Sequence, residues 1–333
     1  MCEGDKGVLQ CKAEATHGRE VTHGRASPRR HTTNGGKDMN IIEVKGLTKR
    51  FKEIVAVNEV NIRVERGEIY GFVGLNGAGK TTTIRMLLGM IKPTKGEVYL
   101  FGKSVRDVDW NKIGYLVETT HSYPDLTVKE NLLLFYHLRK LENKKCIDEV
   151  IEKLKLYQYR NVKAKHLSLG NLQRLGIAKV LLHKPRLLIL DEPMNGLDPA
   201  GIIEVREMLK ELSTEGVTVF ISSHILSELS KLATKIGIIH NGKLVRELTS
   251  HELEREVEKK LIIDTTDNRR AEEFFKSRGF SYRFNGDKLE VFEKDFILNP
   301  EVISEMLFSN KIIPKTIYVF EEDLEAFFIR MIR

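Results

Sequence analysis

No uninterrupted apolar run in this 333-residue chain approaches the roughly 20 residues a helix needs to cross a bilayer. The chain is therefore expected not to span a membrane itself, which leaves it free to dock onto a protein that does. Cysteine is scarce. Cys2, Cys11 and Cys146 are odd in number and have no metal-ligand spacing. That argues against a disulfide framework and suits a reducing compartment. Residues 1–38 are poor in large apolar groups and lack the apolar centre of a secretory signal.

What is present reads as ordinary globular protein. Charged residues make up 30% and hydrophobic residues 41%, and the length allows two domains. The net charge of +7, spread over the whole chain, reads as a solvated surface rather than a nucleic-acid footprint. Residues 1–38 differ from the rest. They carry scattered His, Arg and Lys and a small echo, Thr16-His17-Gly18-Arg19 and Thr22-His23-Gly24-Arg25. Such a stretch cannot offset its ordering entropy and is expected to be a disordered basic tail. Met39 opens a globular pattern and is the expected natural start.

Gly74-Leu75-Asn76-Gly77-Ala78-Gly79-Lys80-Thr81-Thr82 fits G-x-x-x-x-G-K-[ST]. Glu68–Val73 before it reads as a buried strand, and Thr82–Leu88 after it as a helix. Strand, glycine loop and helix together point to a phosphate site. The glycines let backbone N–H groups turn inward around a phosphate chain. The helix start adds about half a positive charge at the same point. Lys80 can reach the β- and γ-phosphates, and the Thr81 hydroxyl can bind Mg²⁺.

From 41 to 250 strand and helix signals alternate. Ile41–Val44, Val60–Val64, Lys95–Tyr99, Leu187–Leu190 and Val217–Ser222 read as strands. Ile236–His240 and Lys243–Arg246 read as a hairpin across Asn241-Gly242. Helical periodicity over roughly 127–182 predicts an insertion into an α/β core. Asp191 and Glu192 end the buried run Arg186–Leu190. A carboxylate at that sheet edge suits Mg²⁺, and the next one can act as general base on a water. Beyond 251 the pattern becomes β-α-β-β-α-β with an extra helix, a small ferredoxin-like α+β unit with no catalytic constellation.

In order along the chain, these motifs resemble the nucleotide-binding subunit of ATP-binding cassette (ABC) transporters. Gly74–Thr82 matches Walker A and Leu187–Glu192 matches Walker B. Leu167-Ser168-Leu169-Gly170-Asn171-Leu172-Gln173-Arg174 resembles the family signature, Asn195-Gly196-Leu197-Asp198 the D-loop, and His224 the switch histidine. Phe51 sits where the family places the aromatic that stacks on adenine. The likeness covers 41–250 strongly and the last helix weakly. It implies a P-loop, RecA-like core over 39–250 with a helical subdomain at about 119–182, and an accessory domain over 251–333. It also implies ATP and Mg²⁺ as cofactors, with Thr81, Asp191 and Glu118 holding the metal. Glu192 and His224 would be catalytic, and His224 would contact the γ-phosphate. Ser168, Gly170 and Asp198 would complete a second chain's nucleotide site in a head-to-tail dimer. The implied setting is the cytoplasmic face of the membrane, beside a separate permease, with no nucleic acid.

Two departures from the family mark a branch. Glu118 stands where glutamine is usual, and Leu169 where glycine is usual; the Leu169 side chain must point away from the phosphate. Both resemble exporters of bacitracin and lantibiotic-type peptides. A soluble ABC ATPase acting on ribosomes or DNA is the alternative. The chain has one cassette, where ribosome-type members carry two, and lacks the coiled coil of the DNA-repair type.

Overall fold

Short apolar runs become central strands when both of their faces find a core. The computed structural model, which describes residues 40–118 and 122–332, places six strands in one sheet. They are β3 (Ile69–Val73), β6 (Ile113–Leu116), β7 (Leu187–Leu190), β8 (Thr218–Ser223), β9 (Lys235–His240) and β10 (Lys243–Thr249). Their spatial order is β10-β9-β3-β8-β7-β6, parallel throughout except for the β9–β10 hairpin at Asn241-Gly242. At the centre of the sheet, β3, β8 and β7 are buried throughout. Successive side chains leave opposite faces of a strand. Tyr70, Phe72, Ile189 and Phe220 therefore enter one core, while Ile69, Val73, Leu188, Leu190 and Ile221 enter another. Tyr70 and Phe220 stack with ring centroids 5.4 Å apart in the first core. The tail at 1–38, Met39, Cys2 and Cys11 lie outside the described residues.

The first core is closed by an antiparallel sheet of β1 (Asn40–Phe51), β2 (Ile54–Glu65), β4 (Lys95–Leu100) and β5 (Lys103–Ser104), in the order β2-β1-β4-β5. Helix α1 (Lys80–Leu87) adds Ile84, Met86 and Leu87 to this core. β1 and β2 run past the expected strands, because their pairing continues from Asn40↔Glu65 out to Phe51↔Ile54. That end carries Lys49 and Arg50, which give no apolar signal.

The second core lies on the other face of the sheet, under α2 (Val128–Leu138), α3 (Lys145–Lys153), α4 (Leu169–Leu181), α5 (Pro199–Thr214) and α6 (Leu226–Ser230). α2 begins on a capping box of Thr127 and Glu130, which satisfies two orphan donors reciprocally. Among the described residues no helix is long and apolar enough to cross a membrane.

Helix α7 (Ser250–Glu256) sends Leu253 into the second core. After it come β11 (Lys259–Thr265), α8 (Asn268–Arg278), β12 (Tyr282–Asn285), β13 (Lys288–Val291), α9 (Lys294–Leu298), α10 (Pro300–Ser309), β14 (Pro314–Glu321) and α11 (Leu324–Ile332). The strands form an antiparallel sheet ordered β12-β13-β11-β14, which is the split βαβ arrangement. The hairpin turn is tighter than a three-residue loop: Asn285 pairs with Lys288, leaving Gly286 and Asp287 as a two-residue turn. Leu261, Ile263, Phe274, Phe275, Ile303 and Leu307 make a third core. α11 returns to the second core with Phe327 and Phe328, and the Ser227 hydroxyl donates to Glu325 at 2.7 Å.

Candidate functional site

β3 is buried along its whole length, so the chain leaves it at a fixed point on the carboxyl edge of the sheet. The loop that follows is held against its neighbours. A Cβ at Gly74 would stand 2.5 Å from the Ile239 carbonyl, and one at Gly79 2.5 Å from the Ala56 carbonyl. Gly79 has φ +108° and hands the chain directly to α1. Gly77 has φ +81° with open space around it. Only glycine takes such a backbone without strain, and the resulting cradle fits a chain of phosphates.

Three side chains converge on that cradle. Lys80 is buried, and its Nζ donates to the carbonyls of Gly74 at 2.6 Å and Leu75 at 3.3 Å. The same Nζ lies 3.2 Å from Glu192 Oε1. Glu192 Oε2 is in turn 2.9 Å from His224 Nδ1. Glu192 takes φ +49°, a left-handed conformation that turns its carboxylate at the strand end. Next to this chain lies a second one. The Thr81 hydroxyl donates to Asp191 Oδ2 at 2.8 Å, and the Ser222 hydroxyl donates to Asp191 Oδ1 at 2.6 Å. Ser222 Oγ also accepts from the Glu192 backbone N–H at 3.0 Å. Asp191 is 1% exposed and is therefore fixed by these bonds. Hydroxyl and carboxylate oxygens side by side are the hard donors that suit Mg²⁺.

The structure distributes the remaining candidates elsewhere. Glu118, at φ +60°, pairs with Arg85 Nη2 at 2.5 Å rather than with Thr81 and Asp191. Phe51 ends β1 and is 46% exposed, with Lys49 Nζ 4.9 Å above its ring. Ser168 caps α4, accepting from the Asn171 N–H at 3.3 Å, so the helix starts at Leu169. Gly170 lies in its first turn. Asp198 caps α5, accepting from the Gly201 N–H at 2.9 Å. Leu169 is 64% exposed, yet its Cδ2 lies so close to Gly196 that a Cβ there would meet it at 2.3 Å. The signature is thus seated on the D-loop of its own chain. Gln173 Nε2 reinforces the contact by donating to the Pro193 carbonyl at 2.9 Å.

Sequence reasoning gave no role to Ser222, Arg85 or Lys179. A hydroxyl closing the apolar strand β8 was the available signal for Ser222. Lys179 is buried; Nζ lies 3.0 Å from Ser122 Oγ and 5.0 Å from the Phe135 ring centre. Burial pulls its pKa down to about 8. With Arg85, Tyr115, Glu118, Phe135 and Arg139 it lines a cleft of about 420 Å³.

A glycine cradle after β3, a lysine inside it and a carboxylate pair at the end of β7, one strand beyond the adjacent β8, define a P-loop nucleotide triphosphatase. The family model for ABC transporters matches residues 57–195. Bacitracin transport ATP-binding protein BcrA of Bacillus licheniformis is 40% identical over 301 residues, covering 88% of this chain and 97% of that protein. Lantibiotic transport ATP-binding protein SrtF of Streptococcus pyogenes is 38% identical over 207 residues, covering 62% of this chain and 90% of its own. A dimeric ATP-binding cassette solved with ADP and Pi superposes with a TM-score of 0.58 at 27% identity, covering 63% of this chain and 98% of that one. The chain belongs to the ABC transporter family as an ATP-binding, ATP-hydrolysing subunit.

Proposed function

We propose that this ATPase powers an exporter built with a separate permease, on the cytoplasmic face of the membrane, and that its cargo is a peptide antibiotic of the bacitracin type. The observation that carries the reading is the junction at Glu192. One carboxylate touches both the cradle lysine and His224, while the adjacent Asp191 touches Thr81. The likeness to BcrA over nearly the whole length of that protein supports the cargo.

In this reading the cradle from Gly74 to Thr82 and Lys80 hold the triphosphate, and Phe51 stacks on the adenine. Thr81, Asp191 and Glu118 would hold Mg²⁺. Bound there, the ion would neutralise charge on the phosphate oxygens. Glu192 takes the proton of the attacking water, and His224 orients it and contacts the γ-phosphate. Ser168, Gly170 and Asp198 close the nucleotide site of a second chain packed head to tail. The cleft beside Glu118 receives a short helix of the permease. Deleting the gene in its native cell and measuring inhibitory concentrations tests the cargo. A fall of about fourfold or more for bacitracin-type peptides is expected, and an unchanged value for them removes the peptide assignment.

A further inference from the structure

Among the described residues, the accessory sheet ends in a strand with no further strand beside it. Among the described residues, β14 pairs only with β11, and no strand lies along its other edge. That edge is eight residues long, Pro314-Lys315-Thr316-Ile317-Tyr318-Val319-Phe320-Glu321. Tyr318, Val319 and Phe320 are each more than a third exposed, an unusual run of large apolar groups for a free edge. Natural sheets commonly blunt such edges with proline, charge, bulges or a covering element, because unpaired N–H and C=O groups are a template for another strand. Here proline stands only at the first position, a register shift sits only at Asp264/Thr265 near that end, and the middle is unguarded.

The order of residues along the edge says what fits it. An antiparallel copy placed about a two-fold axis at Tyr318 sets Lys315 opposite Glu321, Thr316 opposite Phe320 and Ile317 opposite Val319. Residues directly opposite share a face and interact. Both ends of the pairing are then opposite charges, and its centre is apolar on both faces. Within the chain, Lys315 stands 3.7 Å from Asp264 and Glu321 3.2 Å from Lys259. All four are exposed or half-exposed side chains, so those pairs are weak and exchangeable. We propose that β14 pairs with β14 of a second copy of this chain, joining two four-stranded sheets into one of eight strands across a two-fold axis at Tyr318. The contact is isologous and closes on itself, so it makes dimers and not fibres.

Sedimentation of the full chain without nucleotide tests it, since cassette closure around ATP then contributes nothing. The parent is expected to dimerise with concentration. Lys315→Glu and Glu321→Lys each set two like-charge pairs across the axis and should weaken the dimer about tenfold. Combining the two swaps restores opposite charges and should restore the dimer. As a second readout that leaves the charges intact, Tyr318→Cys is expected to form a disulfide-linked dimer under mild oxidant beyond the parent's background, and Lys315→Cys is not. A parent that stays monomeric up to about 100 µM, far above useful affinities for a standing dimer, overturns the proposal. So does a dimer indifferent to either single swap, a double swap without recovery, or Tyr318→Cys that does not cross-link.

Discussion

Replacing Glu192 by glutamine separates the two tasks assigned to this carboxylate. The substitution keeps the side-chain volume and the backbone at φ +49°, and removes one negative charge. That charge lies 3.2 Å from Lys80 Nζ. At an effective dielectric constant near 20, the gross attraction over that distance is on the order of 5 kcal/mol. Desolvation of two largely buried groups offsets most of it, leaving a net of about 1 kcal/mol. An incoming triphosphate competes with Glu192 for the same ammonium, so the glutamine variant is expected to bind ATP about fivefold more tightly. Hydrolysis moves the other way. A positioned base is worth about 10² to 10⁴ in rate, or roughly 3–5 kcal/mol of barrier, and the amide supplies none of it. The checks are phosphate release at saturating Mg·ATP, titration with a fluorescent ATP analogue, and light scattering of the ATP-bound form. Turnover falls at least a hundredfold while the dimer with ATP accumulates. Turnover above about a tenth of the parent's, or weaker nucleotide binding, refutes the assignment of the base.

Glu118→Gln is expected to preserve ATP binding and raise the Mg²⁺ concentration for half-maximal activity several-fold, since a neutral oxygen binds the cation less strongly; identical Mg²⁺ titrations count against direct coordination. Glu290 is 1% exposed and sits between Lys260 Nζ at 2.6 Å, Asn285 Nδ2 at 2.9 Å and the Arg283 guanidinium. Burial pushes its carboxyl up, but hydrogen bonds from Lys260, Asn285 and Arg283 outweigh it and hold the pKa down at about 2. A depressed carboxylate stabilises the fold above its unfolded value near 4.5 and loses that contribution as pH falls towards 2. Because Arg283 is largely exposed, about 2 kcal/mol is assigned to the cluster at neutral pH. Calorimetry should find Glu290→Gln less stable by that amount at pH 7, with the gap closing between about pH 4.5 and 2; a gap that widens on acidification contradicts the sign.

Much of the site was legible because phosphate chemistry uses short, contiguous spacing. The cradle from Gly74 to Thr82 and the carboxylates after Leu190 each advertise themselves within one strand–loop step. The expected core strands also appear, since a doubly buried strand must be apolar throughout. Contacts between distant segments were not legible. Thr81 and Asp191 are 110 positions apart, and nothing local says that Ser222 bridges Asp191 to the Glu192 backbone. The family resemblance implies a metal ligand at Glu118, yet its carboxylate rests on Arg85 of α1. Leu169 was expected to avoid the phosphate; where it goes instead, onto Gly196, depends on how α4 meets the loop before α5.

The sequence by itself determined a phosphate-binding α/β cassette, because glycine freedom, a cradle lysine and strand-end carboxylates act over a few adjacent residues. Only the tertiary structure decided that Lys80, Glu192 and His224 form one connected chain, that Glu290 is locked among three donors, and that β14 is left with an open edge. Those outcomes follow from sheet order and pairing register, which bring together groups whose separation along the chain carries no periodic signal.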